Sequence, residues 1–146
     1  MSKFLVLTII ADDKPGIVET LAATVADQGG NWLESRMSHM AGKFAGILRI
    51  SIAAEDANSL QIRLSELATQ GINVGVEVSA EAGDSVATKD LTLNLVGNDR
   101  PGIVREVSQA LAKMGVNVLE LTTNCESAAM SADLLFKTEA HLRVPQ

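Results

Sequence analysis

Two short turns, DDKPG and NDRPG, hold the residues of this chain whose types and spacing suit small-molecule binding. They share an aspartate, a proline and a glycine, which are Asp13, Pro15 and Gly16 in the first turn and Asp99, Pro101 and Gly102 in the second. Each turn precedes a run with helical apolar spacing, so it lies at a helix N-terminus, where N–H groups lack partners and the dipole is positive. A carboxylate fits there, and the glycine leaves room for its close approach.

The aspartate at the lip of each turn can accept a hydrogen bond from an ammonium group, so the turn matches both ends of a free amino acid. An asparagine in a G-x-N spacing adds a donor or acceptor at the start of the next strand. The candidate ligand-binding residues are Asp13, Pro15, Gly16, Ile17, Asn31, Asp99, Pro101, Gly102, Ile103 and Asn117. A purely structural interpretation stays open, because Asp before a helix is a common cap and Pro-Gly is a common turn.

Catalysis has little support in the sequence. The chain has two histidines and one cysteine, and it lacks the G-x-S-x-G, H-E-x-x-H, C-x-x-C and P-loop patterns. His39 is interpreted as a strand residue at a hairpin, and Cys125 as a partly buried thiol without an activating histidine. We therefore expect no catalytic residue, no metal and no cofactor, and we do not expect an enzyme.

Apolar periodicity places the first turn in a βαββαβ unit of the α+β class. Strand patterns cover residues 3–11, both sides of an Ala41-Gly42 turn, and residues 72–79, whereas helical spacing covers 15–28 and 55–71. This order is the ferredoxin-like arrangement, in which right-handed crossovers predict an antiparallel sheet in the order 2-3-1-4 with both helices on one face. The second helix is expected to have Leu60, Leu64 and Leu67 inward. Alternation places one set of residues on a single face of each strand: Leu5, Leu7 and Ile9 on strand one, Leu48, Ile50 and Ile52 on strand three, and Val74, Val76 and Val78 on strand four.

The first turn and its helix are repeated at a constant offset of 86 residues, as Asp13 and Asp99 show. The sequence thus predicts two domains in tandem, over residues 1–80 and 90–146, joined by a small and polar linker over 81–89. The second copy repeats the strand, turn, helix and hairpin. It is predicted to be incomplete at its C-terminus, because the equivalents of the last helix and strand are not among these residues.

Composition excludes several classes of function. The net charge is -6 and the pI is near 4.8, which disfavours direct nucleic-acid binding, since that depends on clustered Lys and Arg. One cysteine cannot form an internal disulfide, no leader is recognisable at Met1, and the apolar runs are too short to cross a membrane. We expect a soluble, cytoplasmic protein with no membrane contact.

At this point the chain resembles the ACT domain, a regulatory amino-acid-binding module. The matching residues are Asp13, Pro15, Gly16, Gly29, Asn31, Leu33 and Glu34, repeated as Asp99, Pro101, Gly102, Gly115, Asn117, Leu119 and Glu120. Two such repeats without a catalytic domain, together with the hairpin sequence NWLESRMSHMAGKFAGILRIS, are similar to the glycine cleavage system transcriptional repressor family. That resemblance implies amino-acid-responsive repression of transcription through a partner protein, such as a transcription activator.

The turns depart from the pattern of well-known amino-acid-binding ACT modules, which often carry His or Asn side chains there. Ala11 or Gly97 stands four residues before the proline, so affinity for a ligand carboxylate would rest on backbone groups. A small ligand such as glycine is compatible with this. A module that has lost ligand binding and only assembles is also compatible.

Three classes of function follow. The first is a regulator that senses a small metabolite and acts by protein contact, as the resemblance implies. The alternative is a regulatory, or sensor, subunit of an amino-acid metabolic enzyme, and the least favoured class is an enzyme in its own right.

The two faces of the first sheet predict a homo-oligomer. Phe4, Val6, Thr8 and Ile10 point away from the expected core, and Ala45 and Ile47 on strand three extend this outer apolar face, with Trp32 near its margin. The second copy has Thr92, Asn94 and Val96 on its outer face, which is a solvated pattern. The open alternative is that the linker or the second copy covers the apolar face within one chain.

Overall fold

The computed structural model describes residues 1–79, 88–127 and 134–145 of the 146-residue chain. These residues form two compact units, Met1–Gly83 and Asp84–Gln146. The predicted linker lies mostly outside the described residues. The first strand of the second unit begins at Thr88, two residues before the predicted start of that domain.

Unit 1 is a four-stranded antiparallel sheet with helices on one face. The strands are β1 (Ser2–Asp12), β2 (Asn31–Met40), β3 (Lys43–Ala53) and β4 (Ile72–Ser79), and the helices are α1 (Ile17–Asp27) and α2 (Ala57–Glu66). The order β2-β3-β1-β4 confirms the predicted topology. Short 3₁₀ turns at Ala54–Asp56 and Leu67–Gln70 flank α2, so the predicted second helix is regular only in its middle.

The core of unit 1 lies between the sheet and its helices. Strand side chains alternate between faces, and the inward residues Leu5, Leu7 and Ile9 of β1 are buried, as predicted. Leu60, Leu64 and Leu67 meet them from the second helical segment. Val74 and Val76 of β4 are half-buried against this cluster, whereas Val78 is exposed near the strand end. The other core residues are Ala11, Ile17, Leu21, Val25, Leu48, Ile50, Ile52, Ala57 and Ile72.

Unit 2 repeats the first part of this architecture. It contains β5 (Thr88–Asn98), α3 (Ile103–Lys113), β6 (Asn117–Ser127) and β7 (Leu134–Pro145), and its sheet has the order β5-β7-β6. This order corresponds to β1-β3-β2 of unit 1, and together the units confirm the tandem ferredoxin-like fold class. Leu91 of β5 is 44% exposed whereas its counterpart Leu5 is 0% exposed, because one helix covers this sheet among the described residues.

Trp32 lies on the opposite face from the one that the sequence suggested. Its register partner on β3 is Ile50, which is fully buried, and the indole packs against the core of unit 1. A β-bulge between Trp32 and Glu34 shifts the alternation at this point, and the equivalent bulge in β6 lies between Val118 and Glu120. The prediction that Trp32 borders the outer face was wrong, because period-two counting does not register a bulge.

No helix in the described part of the chain is long and apolar enough to span a membrane.

Candidate ligand-binding turns

Each predicted turn places a glycine in the left-handed conformation at a helix N-cap. Gly16 has φ 93° and Gly102 has φ 84°, so α1 and α3 begin at the isoleucines that follow and not at the prolines. A Cβ added at either glycine would meet nothing within 4 Å, so the space beside the turn is open. Glycine is therefore required for the backbone conformation, in addition to any role in ligand approach.

The helix N-termini at the two turns carry no side-chain cap. Neither Asp13 nor Asp99 caps its helix, because the N-cap positions are Gly16 and Gly102. The carbonyl of Gly16 accepts the N–H of Thr20 at 2.9 Å, and that of Gly102 accepts the N–H of Glu106 at 3.0 Å. The N–H groups of the first helical turn have no intrahelical acceptor, which leaves donors suited to an anion. In unit 2 one of them, that of Ile103, donates to the Arg100 carbonyl at 3.4 Å.

Backbone hydrogen bonds attach each turn to the neighbouring hairpin. The N–H of Asp13 donates to Gly42 O at 2.9 Å, and the N–H of Asp99 donates to Leu134 O at 3.0 Å. These bonds hold the aspartates beside the end of the second strand of each unit. The side chains at that strand end are therefore part of the candidate site.

The sequence analysis missed the two residues that face the turn aspartates. His39 Nδ1 lies 3.8 Å from Asp13 Oδ2, and Cys125 lies next to Asp99. Their numbers differ by 86, so the repeat itself carried the signal. Cys125 is exposed, which corrects the expectation of a partly buried thiol, because β6 is an edge strand of its sheet.

Asp99 disfavours the thiolate form of Cys125. Loss of hydration raises the pKa of the Cys125 thiol, and the Asp99 carboxylate raises it further by its charge and by accepting the thiol hydrogen. Since water reaches this exposed residue, the carboxylate is the neighbour that distinguishes it from an ordinary cysteine. A smaller fraction of this thiol is therefore in the reactive thiolate form than for an ordinary cysteine at the same pH.

Basic side chains around the turns are engaged elsewhere. Lys14 Nζ donates to the Gln70 carbonyl at 2.8 Å, and Lys43 pairs with Asp12, whose pKa this hydrogen bond and charge lower. In unit 2 the Arg100 guanidinium pairs with Glu106 and lowers the pKa of that carboxyl.

The asparagines of the predicted site lie at the other end of the sheet. Asn31 and Phe4 both pair with Ser51, whereas Asp12 pairs with Lys43, so Asn31 and the turn are separated by about eight strand residues, or about 26 Å. Unit 2 has the same arrangement. Asn117 and Asp90 both pair with Arg143, and the turn follows Asn98 at the far end of β5. Within one unit, the structure does not bring Asn31 or Asn117 to the turn.

The remaining predicted residues surround the turn in different ways. Pro15 and Pro101 are exposed, Ile17 is buried in the core, and Ile103 is half-buried. Because its side chain is buried, Ile17 can contact a ligand at this turn only through its backbone. Among the described residues, no group of three or more His, Cys, Asp or Glu side chains is arranged to hold a metal ion.

Comparison with known families identifies the repeated module. The model of the ACT domain family matches residues 3–78 and 89–141, which together are most of the chain. A search of curated proteins finds none that matches.

Solved structures support the tandem fold over the whole chain. A protein of unknown function from Galdieria sulphuraria is 29% identical, with a TM-score of 0.87 over 99% of this chain and 84% of that one. A protein provisionally named a glycine cleavage system transcriptional repressor is 19% identical, with a TM-score of 0.74 over 99% of this chain and 82% of that one. At 19% identity the second likeness shows the fold alone.

Proposed function

The chain belongs to the ACT domain family, and on that premise we propose that it is an amino-acid-responsive regulator that acts by protein–protein contact. One observation carries the proposal: both units present an uncapped helix N-terminus next to an aspartate, in the same geometry and with open space beside it. Because the N-cap residue is glycine in both units, no N-cap side chain competes with a ligand for the first N–H groups.

The chemistry of the turn favours a small zwitterion. The N–H groups of the first helical turn bind the carboxylate, and Asp13 or Asp99 accepts hydrogen bonds from the ammonium group. The basic side chains near the turns are engaged with other groups, so they do not compete with these N–H groups for the ligand carboxylate. No large side-chain pocket is needed, and glycine is therefore the ligand we propose. Asn31 and Asn117 are not part of this proposed ligand contact, because each lies about 26 Å from the turn of its own unit.

We propose no catalytic role for either turn. Loss of hydration and the Asp99 carboxylate raise the pKa of the Cys125 thiol, and the group that faces His39 is the Asp13 carboxylate. These observations support a binding role over covalent catalysis, which requires an activated nucleophile and a base.

The proposed target is the transcription of the glycine cleavage genes. We propose that the chain acts on it in the cytoplasm, through a partner such as a transcription activator. The tandem fold shared with the provisionally named repressor motivates this choice. The net charge of -6 favours a protein partner over DNA. The chain would then release or engage its partner according to glycine concentration.

Deletion of the gene tests this proposal. We expect glycine cleavage transcripts in the host to rise in the absence of glycine, and we expect a D13N/D99N double variant to repress without responding to glycine. The purified protein should not shift the promoter DNA by itself. Unchanged transcripts would contradict the proposal. Specific co-purification of a biosynthetic enzyme, whose activity then depends on this chain, would favour the sensor-subunit alternative.

A further inference from the structure

The two turns differ at the residue of the second strand that faces the turn aspartate. This position holds His39 in unit 1 and Cys125 in unit 2. Each residue pairs with a phenylalanine on the neighbouring strand, Phe44 or Phe136, both of which pack toward the helix-covered side of the sheet. The two side chains therefore occupy equivalent places in the two units.

We infer that this position makes the two turns unequal: His39 weakens amino-acid binding at the first turn as the pH falls, whereas Cys125 leaves binding at the second turn unchanged. The inference rests on the proposed function, because it concerns the regulation of the same site. It assigns a specificity-determining role to two residues outside the D-x-P-G motif.

The geometry of the first turn supports competition for Asp13. His39 Nδ1 lies 3.8 Å from Asp13 Oδ2, with the histidine side chain 75% exposed and the aspartate side chain 44% exposed. Histidine is the side chain whose charge ordinarily changes near neutral pH. An imidazolium at this distance attracts the carboxylate that a ligand ammonium needs, and it also repels the ammonium.

The other charged groups at this turn do not produce the same effect. Asp12 and Lys43 pair with each other and belong to the outer face of the sheet, because they continue the alternation of Ile10 and Ala45. Lys14 donates to the Gln70 carbonyl. The ordinary pKa values of carboxyl groups and lysines lie outside the interval from about pH 5 to about pH 8, whereas that of histidine lies inside it.

The second turn lacks an equivalent cation. A thiol is ordinarily neutral at about pH 7 and below, and loss of hydration together with the Asp99 carboxylate raises the pKa of the Cys125 thiol further. A ligand ammonium group can replace the thiol as the hydrogen-bond donor to Asp99. The nearby Arg100 pairs with Glu106 over the whole neutral range. Binding at this turn should accordingly have no pH dependence near neutrality.

The expected effect is modest because the His39–Asp13 pair is exposed. Exposed ion pairs contribute about 0.2 to 1 kcal/mol, which corresponds to a change in affinity of roughly 1.5-fold to fivefold. A difference of this size is measurable when both turns are followed in the same molecule.

The test is an NMR titration of the full chain with glycine at about pH 8 and about pH 5.5, which bracket the ordinary histidine range. The Gly16 and Gly102 amide signals report the two turns separately. We expect the dissociation constant at Gly16 to rise by about 1.5-fold to fivefold at the lower pH, and that at Gly102 to stay constant. His39→Cys should remove this difference, and Cys125→His should introduce it at the second turn.

Two controls isolate the mechanism. Acetate has a carboxylate but no ammonium group, so its binding at the first turn should not weaken at the lower pH. Cys125→Ser replaces the thiol with another neutral donor, so the dissociation constant at Gly102 should remain independent of pH in this variant. A pH dependence that survives in His39→Cys would overturn the inference.

A ligand-free measurement separates this inference from the proposed function. The ¹³C shift of the Asp13 carboxyl should step at the midpoint of the His39 ring titration, and the step should vanish in His39→Cys. No response of the wild-type turns to any amino acid at pH 8 counts against the proposed function, and the carboxyl titration then decides the inference. Absence of the step means that His39 does not act on Asp13, and the inference fails.

Discussion

At the scale of single residues, the contact between Asp99 and Cys125 gives a direct chemical readout of the second turn. The thiolate is the reactive form of cysteine, and the Asp99 carboxylate raises the pKa of this thiol. Asp99→Asn removes the negative charge, which lowers the pKa and increases the thiolate fraction at pH 7. We expect iodoacetamide to alkylate the variant severalfold faster than the wild type, as measured by mass spectrometry.

Cys125 is the single cysteine, so no other thiol contributes to this rate. Asp90→Asn is the matched control, because it changes an aspartate of β5, the strand that precedes the turn, and this aspartate pairs with Arg143. The account of the turn is wrong if Asp99→Asn and Asp90→Asn react at the same rate.

Residue types alone predicted which turns carry the candidate groups, but not which side chains face each other. Asp13 and Asp99 were evident from their motif, whereas the partnership with His39 and Cys125 depends on hairpin register and on backbone bonds from the turn to the hairpin. The distance between Asn31 and its turn has the same origin. A G-x-N motif near a helix end says nothing about the end of the sheet at which the asparagine lies.

At the scale of elements, α2 provides a matched pair of positions that tests the core of unit 1. Leu64 is 1% exposed and Ile62 is 60% exposed on the same helix. We expect Leu64→Ala to lower the free energy of unfolding by about 2–5 kcal/mol, because it leaves a cavity between α2 and the sheet. Ile62→Ala should change it by less than about 0.5 kcal/mol.

Urea unfolding followed by tryptophan fluorescence is the appropriate measurement. Trp32 is the single tryptophan and packs against this core, so its emission reports unit 1. Equal losses of stability in the two variants would show that α2 does not cover the sheet as described.

Period and spacing were sufficient to predict the elements of unit 1 and the order of its strands. The alternation in β1 and the leucine spacing of α2 identify their buried faces directly. Local backbone features could not be predicted from the same pattern. The left-handed Gly16 moves the start of α1 past the proline, and the bulge after Trp32 turns the indole to the core side, although neither changes the hydrophobic pattern on which the prediction depended.

At the scale of the whole molecule, the outer face of the first sheet is the surface on which we expect self-association. Ile10 is 51% exposed and Ile47 is 49% exposed, whereas Phe4 is half-buried beneath the Arg49 guanidinium, 5.0 Å from its ring centroid. We expect Ile10→Lys to shift the chain toward the monomer in sedimentation at micromolar concentration, because it places a charge in this apolar face.

Val96→Lys is the matched control for this substitution. Val96 is the repeat counterpart of Ile10 and is 61% exposed, but its outer-face neighbours on β5 are Thr92 and Asn94. The Val96→Lys substitution should therefore leave the oligomeric state unchanged. A wild type that sediments as a 15.4 kDa monomer would contradict the expected association.

The central claim is that the two turns bind a free amino acid, and calorimetric titration with glycine at about pH 8 tests it most directly, since histidine is ordinarily neutral there. We expect the wild type to bind glycine. Asp13→Asn combined with Asp99→Asn should weaken binding by about tenfold or more, because hydrogen bonds to a charged group contribute about 1.5–3 kcal/mol.

Asp12→Asn should bind glycine as the wild type does, because Asp12 lies beside the first turn but pairs with Lys43. Glycine at a free concentration of a hundred times its dissociation constant would also stabilise the fold by about 2.7 kcal/mol, and an increase in the melting temperature would detect this. Glycine binding that is lost in the double variant and kept in Asp12→Asn is the predicted result. Binding that persists undiminished in the double variant, or no heat with any amino acid at millimolar concentration, would contradict the claim.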